Sequence, residues 1–254
     1  MDANVIATAI PIFAIAATLW NSSTYWGDGH DRTLYPNQYD DGGTQFTGEG
    51  KARIDGAGKL ILTGDAPRYR VLEPTFDNVS VQVYALRESE EEDLPYQGIT
   101  LAARSQHYDD MECGANTYYA SITRNGDARF EKELFHGHGD NAFYPSQFSN
   151  NAPEVFDGDE IPKGVWIGLN FSIVTTSGSD VLLTLDVDKS DGEGFQRVLE
   201  FTDDGEWPVN ANDVECEGFY PDNKIILAPG MTFIRNDGLG QYQYKDFVIR
   251  ELNP

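Results

Sequence analysis

Asn125-Gly126 lies between two runs, Thr117 to Arg124 and Asp127 to Phe135, whose residues read as strands. Asn-Gly is the dipeptide best suited to a two-residue hairpin turn, because both central positions of that turn need positive φ. Strand pattern, turn chemistry and reactive side chains coincide between Gln97 and His138, so this stretch constrains the fold more than any other. A two-residue turn sets the register. Tyr119 then faces Lys132 and Ser121 faces Phe130 on one surface, while Tyr118 faces Glu133 and Ile122 faces Arg129 on the other. Both surfaces would carry polar groups.

The same stretch supplies the candidate site. Arg104, Ser105 and His107 end an extended run upstream of the hairpin, and His136 and His138 follow it. Arg104, His107, Tyr118, Tyr119, Lys132, Glu133 and His136 are the expected ligand-binding residues, since their donors, acceptors and rings suit a polyhydroxylated ligand. Each also has a structural reading. Tyr118, Tyr119 and Phe130 would pack across strands, Lys132 would join Glu131 and Glu133 in a charge ladder, and Arg104 would be a buried partner.

The remaining chain continues the strand pattern. Ala52 to Ile54 and Lys59 to Thr63 flank the turn Asp55-Gly56-Ala57-Gly58, followed by Tyr69 to Leu72 and an alternating run, Val79 to Arg87. Val165 to Thr175, Asp180 to Asp188, Phe195 to Thr202, Lys224 to Ala228, Met231 to Arg235 and Tyr242 to Leu252 complete the set. Asn21 to Gly50 reads as an irregular loop packed by its aromatic residues. Glu88 to Asp93 reads as a solvated loop, Gly137 to Lys163 as a long connection, and Asp203 to Pro221 as another loop. About ten to twelve short strands without a long amphipathic helix predict an all-β, two-sheet antiparallel sandwich. The 254 residues suffice for one such domain over 21–254.

Val5 to Trp20 is the long charge-free apolar run, with three readings: an export signal, a retained anchor or subunit-contact segment, and a buried strand. Asp2, the lack of an early Lys or Arg, and Pro11 count against a simple signal. The formal charge of −24 argues against nucleic acid or an anionic membrane as partner. So acidic a chain suits a saline setting, where charges are screened beyond roughly 8 to 10 Å. Cys113 and Cys216 are expected to form one long-range disulfide if the protein is extracellular, worth about 4 kcal/mol by loop entropy. In a reducing compartment they would be free thiols.

Metal motifs are weak. His136-Gly137-His138-Gly139-Asp140 lacks a third His or Cys, and Asp186, Asp188, Ser190 and Asp191 resemble a calcium loop whose Gly comes one position late and whose closing Glu is missing. Calcium elsewhere stays open, because oxygen ligands abound. Asn21, Asn78 and Asn170 begin Asn-x-Ser sequons, which matter only in a glycosylating host.

The segments GITLAARS, TYYASITRNGDARFEKELFH, KGVWIGLNFSIV, SDVLLTLDVD, FQRVLEFTDDG and YQYKDFVIREL together resemble the concanavalin A-like jelly roll of lectins, laminin G-like modules and polysaccharide-degrading enzymes. The pattern is also similar to secreted proteins of this fold with a YY-hairpin-FEKE arrangement, including archaeal ones. The resemblance implies a jelly-roll sandwich with saccharide on one sheet, and leaves calcium open because many members use it. The Glu-x-Asp-x-x-Glu pattern of its glycoside hydrolases is missing; Glu154, Asp157, Asp159 and Glu160 have the wrong intervals for carboxyl groups about 5 to 5.5 Å apart. Alginate lyase motifs are missing too.

Three functions follow. The first is an extracellular or cell-surface protein that binds carbohydrate without cleaving it. The second is a polysaccharide lyase for a uronate-containing glycan, with Arg104, His107, Tyr119, Lys132 and His136 as candidate catalytic groups. The third is a subunit of a surface filament or layer, a homo-oligomer assembled through residues 5–20 by strand pairing.

Overall fold

Val81, Val83 and Ala85 are fully buried, whereas the intervening Gln82, Tyr84 and Leu86 reach the surface, so this run is a strand with one face on a core. The same alternation recurs along the chain. The computed structural model describes residues 13–90, 98–107, 116–133, 153–156, 160–205, 225–237 and 240–253. In chain order the elements are β1 (Ala14–Asn21), α1 (Ser22–Tyr25), β2 (Arg32–Leu34), β3 (Tyr39–Asp40), β4 (Thr44–Thr47), β5 (Lys51–Ile54), β6 (Lys59–Thr63), β7 (Arg68–Phe76) and β8 (Val79–Glu90). Then come β9 (Gly98–Ser105), β10 (Thr117–Thr123), β11 (Ala128–Glu133), β12 (Trp166–Thr175), β13 (Val181–Asp188), β14 (Gln196–Asp203), β15 (Gly230–Asp237) and β16 (Gly240–Asn253).

Two antiparallel sheets result. One has nine strands in the order β14-β13-β12-β8-β16-β6-β5-β2, with β1 paired separately to β16. The other has seven, in the order β11-β10-β9-β15-β7-β4-β3. Their inner faces share one core, in which Phe130 of β11 lies 5.9 Å from Phe171 of β12, ring centre to ring centre. This is the all-β sandwich expected from the strand pattern.

Several sequence readings are corrected. Asn21 to Gly50 holds α1 and three short strands, and Thr44 to Thr47 is buried throughout. The acidic run is partly strand: β8 continues to Glu90, and Glu88 accepts hydrogen bonds from Gln241 and Gln243 of β16. Residues 225–229 form no strand. Their backbone instead serves side chains, since Ile226 N–H donates to Tyr118 Oη and Ile226 C=O accepts from Arg104.

Of the apolar N-terminal run, Ala14 to Trp20 forms most of β1, and Pro11 and the residues before it lie outside the described part. The end of β1 is firmly tied down. Trp20 is buried and stacks on Tyr25, Asn21 caps α1 by accepting from Ser23 N–H, and Ser22 Oγ accepts from Phe247 N–H of β16. Ala14 to Thr18 is exposed, with Ile15 60% accessible. Among the described residues no helix is long and apolar enough to cross a membrane.

Candidate functional site

The hairpin exists, but its loop has three residues. Gly126 N–H donates to Thr123 C=O and Thr123 N–H to Asp127 C=O, which leaves Arg124, Asn125 and Gly126 in the bend with Gly126 at φ 86°. This is a type I turn closed by a left-handed glycine. The register is therefore one residue from the expected one: Tyr118 pairs with Lys132, Tyr119 with Glu131, Ala120 with Phe130 and Ser121 with Arg129. Such a slip moves side chains to the opposite face relative to their neighbours. Tyr118 and Lys132 share the core face, and Tyr119 shares the outward face with Glu131 and Glu133.

On the core face, Lys132 Nζ lies 2.6 Å from Asp203 Oδ2, and Tyr118 Oη donates to the same oxygen at 2.5 Å. All three side chains are buried, so this is an ionic tie between β10 and β11 of one sheet and β14 of the other. Burial, followed by the Asp203 charge, raises the Tyr118 phenol pKa far above the usual range. Arg104 is also structural. It sits at a β-bulge with φ 50°, where Met231 pairs with Ser105 but Phe233 with Ala102. Its guanidinium donates to the carbonyls of Asp77 and Ile226 and to Asn78 Oδ1 and Thr175 Oγ1, and it pairs with Asp77 at 2.8 Å. His107 follows the end of β9, its N–H donating to Ser105 Oγ.

The expected site residues thus divide. Tyr119 and Glu133 come together, with Tyr119 Oη donating to Glu133 Oε2 at 2.5 Å. Tyr118 and Lys132 come together on the other side of the sheet, and Arg104 serves the end of the sandwich. His136, His138, Cys113 and Cys216 lie outside the described residues.

Register builds the outward face of the seven-stranded sheet in rows. One row runs Tyr39, Gln45, Arg70, Phe233, Ala102, Tyr119, Glu131, each directly opposite the next across all seven strands. The adjacent row runs Thr47, Arg68, Arg235, Thr100, Ser121, Arg129. Directly opposed residues of antiparallel strands share a face, so these side chains form one surface. Tyr119, Phe233, Ala102 and Met231 make a small apolar cluster there, separate from the main core.

The charges on this face are mostly matched. Arg129 pairs with Glu131 at 2.7 Å and Arg235 with Asp237 at 2.9 Å, while the Arg235 guanidinium lies 5.1 Å from the centre of the Tyr119 ring. Burial and then the Glu133 charge push the Tyr119 phenol well above its ordinary pKa, so it is a proton donor at neutral pH. Burial also raises the Glu131 carboxyl. The side chains in the middle of the face are buried, whereas at its β3 end Tyr39 and Arg68 reach the surface. Tyr39 is 70% accessible and Arg68 is half-buried beside the buried Gln45 and Thr47. Sequence reasoning missed Tyr39, Gln45, Thr47, Arg68, Arg70 and Arg235. The alternation Arg68-Tyr69-Arg70, with an apolar ring between two cations, was the available signal.

The metal candidates resolve differently. Among the described residues no group of three or more His, Cys, Asp or Glu is placed to hold a metal ion. The calcium-like run is a hairpin turn: Asp186 pairs with Arg197, Asp191 with Lys245, and Asp188 accepts from Tyr84 Oη and from Ser190 and Gly192 N–H. Glu160, one of the carboxylates nearest a hydrolase pattern, pairs with Arg87 and Arg124.

By sequence the chain matches no protein-family model and none of the curated proteins. Solved structures match over nearly its whole length. A Bacillus subtilis protein of unknown function with a galectin-like fold aligns at TM-score 0.53 and 13% identity, covering 95% of this chain and 99% of that one. The fold is that of the concanavalin A-like jelly rolls. Alginate lyase Aly36B aligns at TM-score 0.46 and 12% identity, covering 96% of this chain and 98% of the other. The exoplasmic/lumenal domain of VIP36, in a form bound to Ca2+ and Man3GlcNAc, aligns at TM-score 0.48 and 11% identity over 89% and 91% of the two chains. At such identities the jelly-roll likeness concerns architecture, and function rests on the site itself.

Proposed function

We propose that this protein is an extracellular or cell-surface carbohydrate-binding jelly roll whose saccharide meets the outward face of the seven-stranded sheet at its β3 end. The accessible ring of Tyr39, in line with Gln45 and Arg70, carries this reading. A sugar offers an apolar ring face and planar sets of hydroxyls; the exposed Tyr39 ring takes the first, and the part-exposed guanidinium of Arg68 takes the second. Binding is favoured over cleavage. Of the five groups considered for β-elimination, Lys132 faces the core, Arg104 is saturated by protein acceptors, Tyr119 is a poor base because its phenol stays protonated, His107 is buried, and His136 lies outside the described residues.

Calorimetric titration against a panel of oligosaccharides tests the reading. At least one binds, and Tyr39→Ala weakens it about tenfold, or about 1.4 kcal/mol, with an unchanged melting temperature because the ring is exposed. Failure of every glycan to bind would refute the proposal. An unsaturated product absorbing in the ultraviolet when a uronate polymer is added would instead make the protein a lyase.

A second reading, assembly into a filament or layer, is favoured by β1. Its exposed apolar residues and its edge beyond β16 offer a surface on which another strand can be laid. Ile15→Lys then converts an assembly to monomers in size-exclusion chromatography, and a parent protein that is already monomeric refutes this reading.

A further inference from the structure

Arg68 and Arg235 are directly opposed on β7 and β15. Like charges in that position repel, and a fold tolerates them when a counter-charge is supplied. Arg235 has one in Asp237, and Arg129 in the same row has Glu131. Arg68 has none. Among the described residues its guanidinium makes no hydrogen bond or ion pair, and its Nε is enclosed without an acceptor. The neighbour across the other ladder is Thr47, whose hydroxyl is buried and likewise unbonded. Burial and then the charge of Arg235 depress the Arg68 pKa, with Arg70 adding to the repulsion, although Tyr119 and Asp237 act the other way. A cation with unused donors, set between two further cations, favours an anionic ligand. It stands in a chain of net charge −24, so the basic character is local.

We propose that Arg68, with Arg70 and Arg235 alongside, binds the acidic group of an anionic glycan, a carboxylate or a sulfate ester, next to the sugar ring that stacks on Tyr39. This inference rests on the carbohydrate-binding reading and deepens it. A guanidinium meets either oxyanion with two parallel N–H donors, here from the terminal nitrogens of Arg68, because its Nε is enclosed. The overall negative charge repels acidic polymers elsewhere on the surface, so an acidic glycan would be held at this end of the sheet.

The test compares the full chain with Arg68→Gln by calorimetry against oligogalacturonate, dextran sulfate and a neutral glucan, at low and high sodium chloride. The parent binds at least one acidic polymer more tightly than the glucan, and salt weakens that binding. Arg68→Gln loses at least tenfold in affinity for the acidic polymer, keeps its affinity for any neutral sugar, and melts at the same or a higher temperature because a repelling charge has gone. Preference for oligogalacturonate assigns the site to carboxylate, and preference for dextran sulfate to a sulfate ester. Neutral sugars binding as well as acidic ones, or Arg68→Gln binding acidic polymers as the parent does, would overturn the anion site while leaving the carbohydrate reading intact. A large fall in melting temperature would make Arg68 structural and overturn it too. Silence of all three polymers and of the wider oligosaccharide panel would overturn both.

Discussion

Replacing Lys132 by Met separates a structural role from a ligand role more cleanly than any other change. The Asp203 carboxylate is fully buried and accepts from Lys132 Nζ at 2.6 Å, Tyr118 Oη at 2.5 Å and Gly205 N–H at 3.1 Å. Lys132→Met fills a similar volume but removes the ammonium, leaving a buried carboxylate held by two neutral donors. Breaking a buried ion pair from one side costs about 3 to 5 kcal/mol. In a domain of this size each kcal/mol lowers the melting temperature by about 2 to 4 °C, so the expected fall is about 6 to 20 °C. Circular dichroism melting measures it. The double variant Lys132→Met/Asp203→Leu removes both charges and recovers part of the loss, though Tyr118 Oη then lacks its acceptor. Below its melting point Lys132→Met binds glycan as the parent does, because Lys132 faces the core. A melting temperature within about 2 °C of the parent, or a double variant no more stable than the single one, would show that the buried tie is not as described.

Three further outcomes are expected. Gly98 lies where an added Cβ would come within 2.1 Å of Ile122 O, so Gly98→Ala forces β9 from β10 and costs about 1 to 3 kcal/mol in urea unfolding, against no loss if the strands can separate freely. The Asp188 carboxyl is held below its ordinary pKa because donation from Gly192, Tyr84 and Ser190 outweighs its burial. The stabilisation it brings is therefore present above about pH 4 and is lost as pH falls through the lowered folded value; Asp188→Asn is less stable at neutral pH by about 1 to 2 kcal/mol in urea unfolding and shows a shallower loss in acid. Gly50→Ala, at φ 91° and with its Cβ 1.9 Å from Thr63 O, lowers the yield of folded protein in a comparison of soluble expression, whereas Gly58→Ala, which meets no atom within 4 Å, pays only for its φ of 105°.

What the sequence revealed and what it hid follow from how far each interaction reaches along the chain. Alternation within a strand is local, so β8, β12, β13 and β16 were legible within a residue or two at most ends. The Asn125-Gly126 bend was legible as a bend. Its length was not, because the three-residue form is supported from outside: Val155 N–H donates to Gly126 C=O, and Ile161 N–H to Arg124 C=O. That single residue decided which of Tyr118 and Tyr119 sits beside Lys132. Arg104 reads from sequence both as a ligand group and as a buried partner, because nothing in Ala-Ala-Arg-Ser announces a left-handed arginine at a bulge. The rows through Arg68 and Tyr39 depend on β7 lying between β15 and β4, an arrangement joining distant parts of the chain. Only the geometry of the whole sheet could display it.

The placement of β16 bears on how the protein is made. The last strand in sequence lies inside its sheet, with β8 along one edge and β6 and β1 along the other. During synthesis β8, β6 and β1 emerge with no central partner, and the backbone edges that face it stay open until residues 240–253 have been made. Closure is thus a long-range event that no fragment ending ahead of Gly240 can complete. A nonsense mutation ahead of Gly240 would release chains that lack this interior strand and keep the edges of β8, β6 and β1 open, prone to clumping, and holding factors that shield nascent strands would matter most for such a chain.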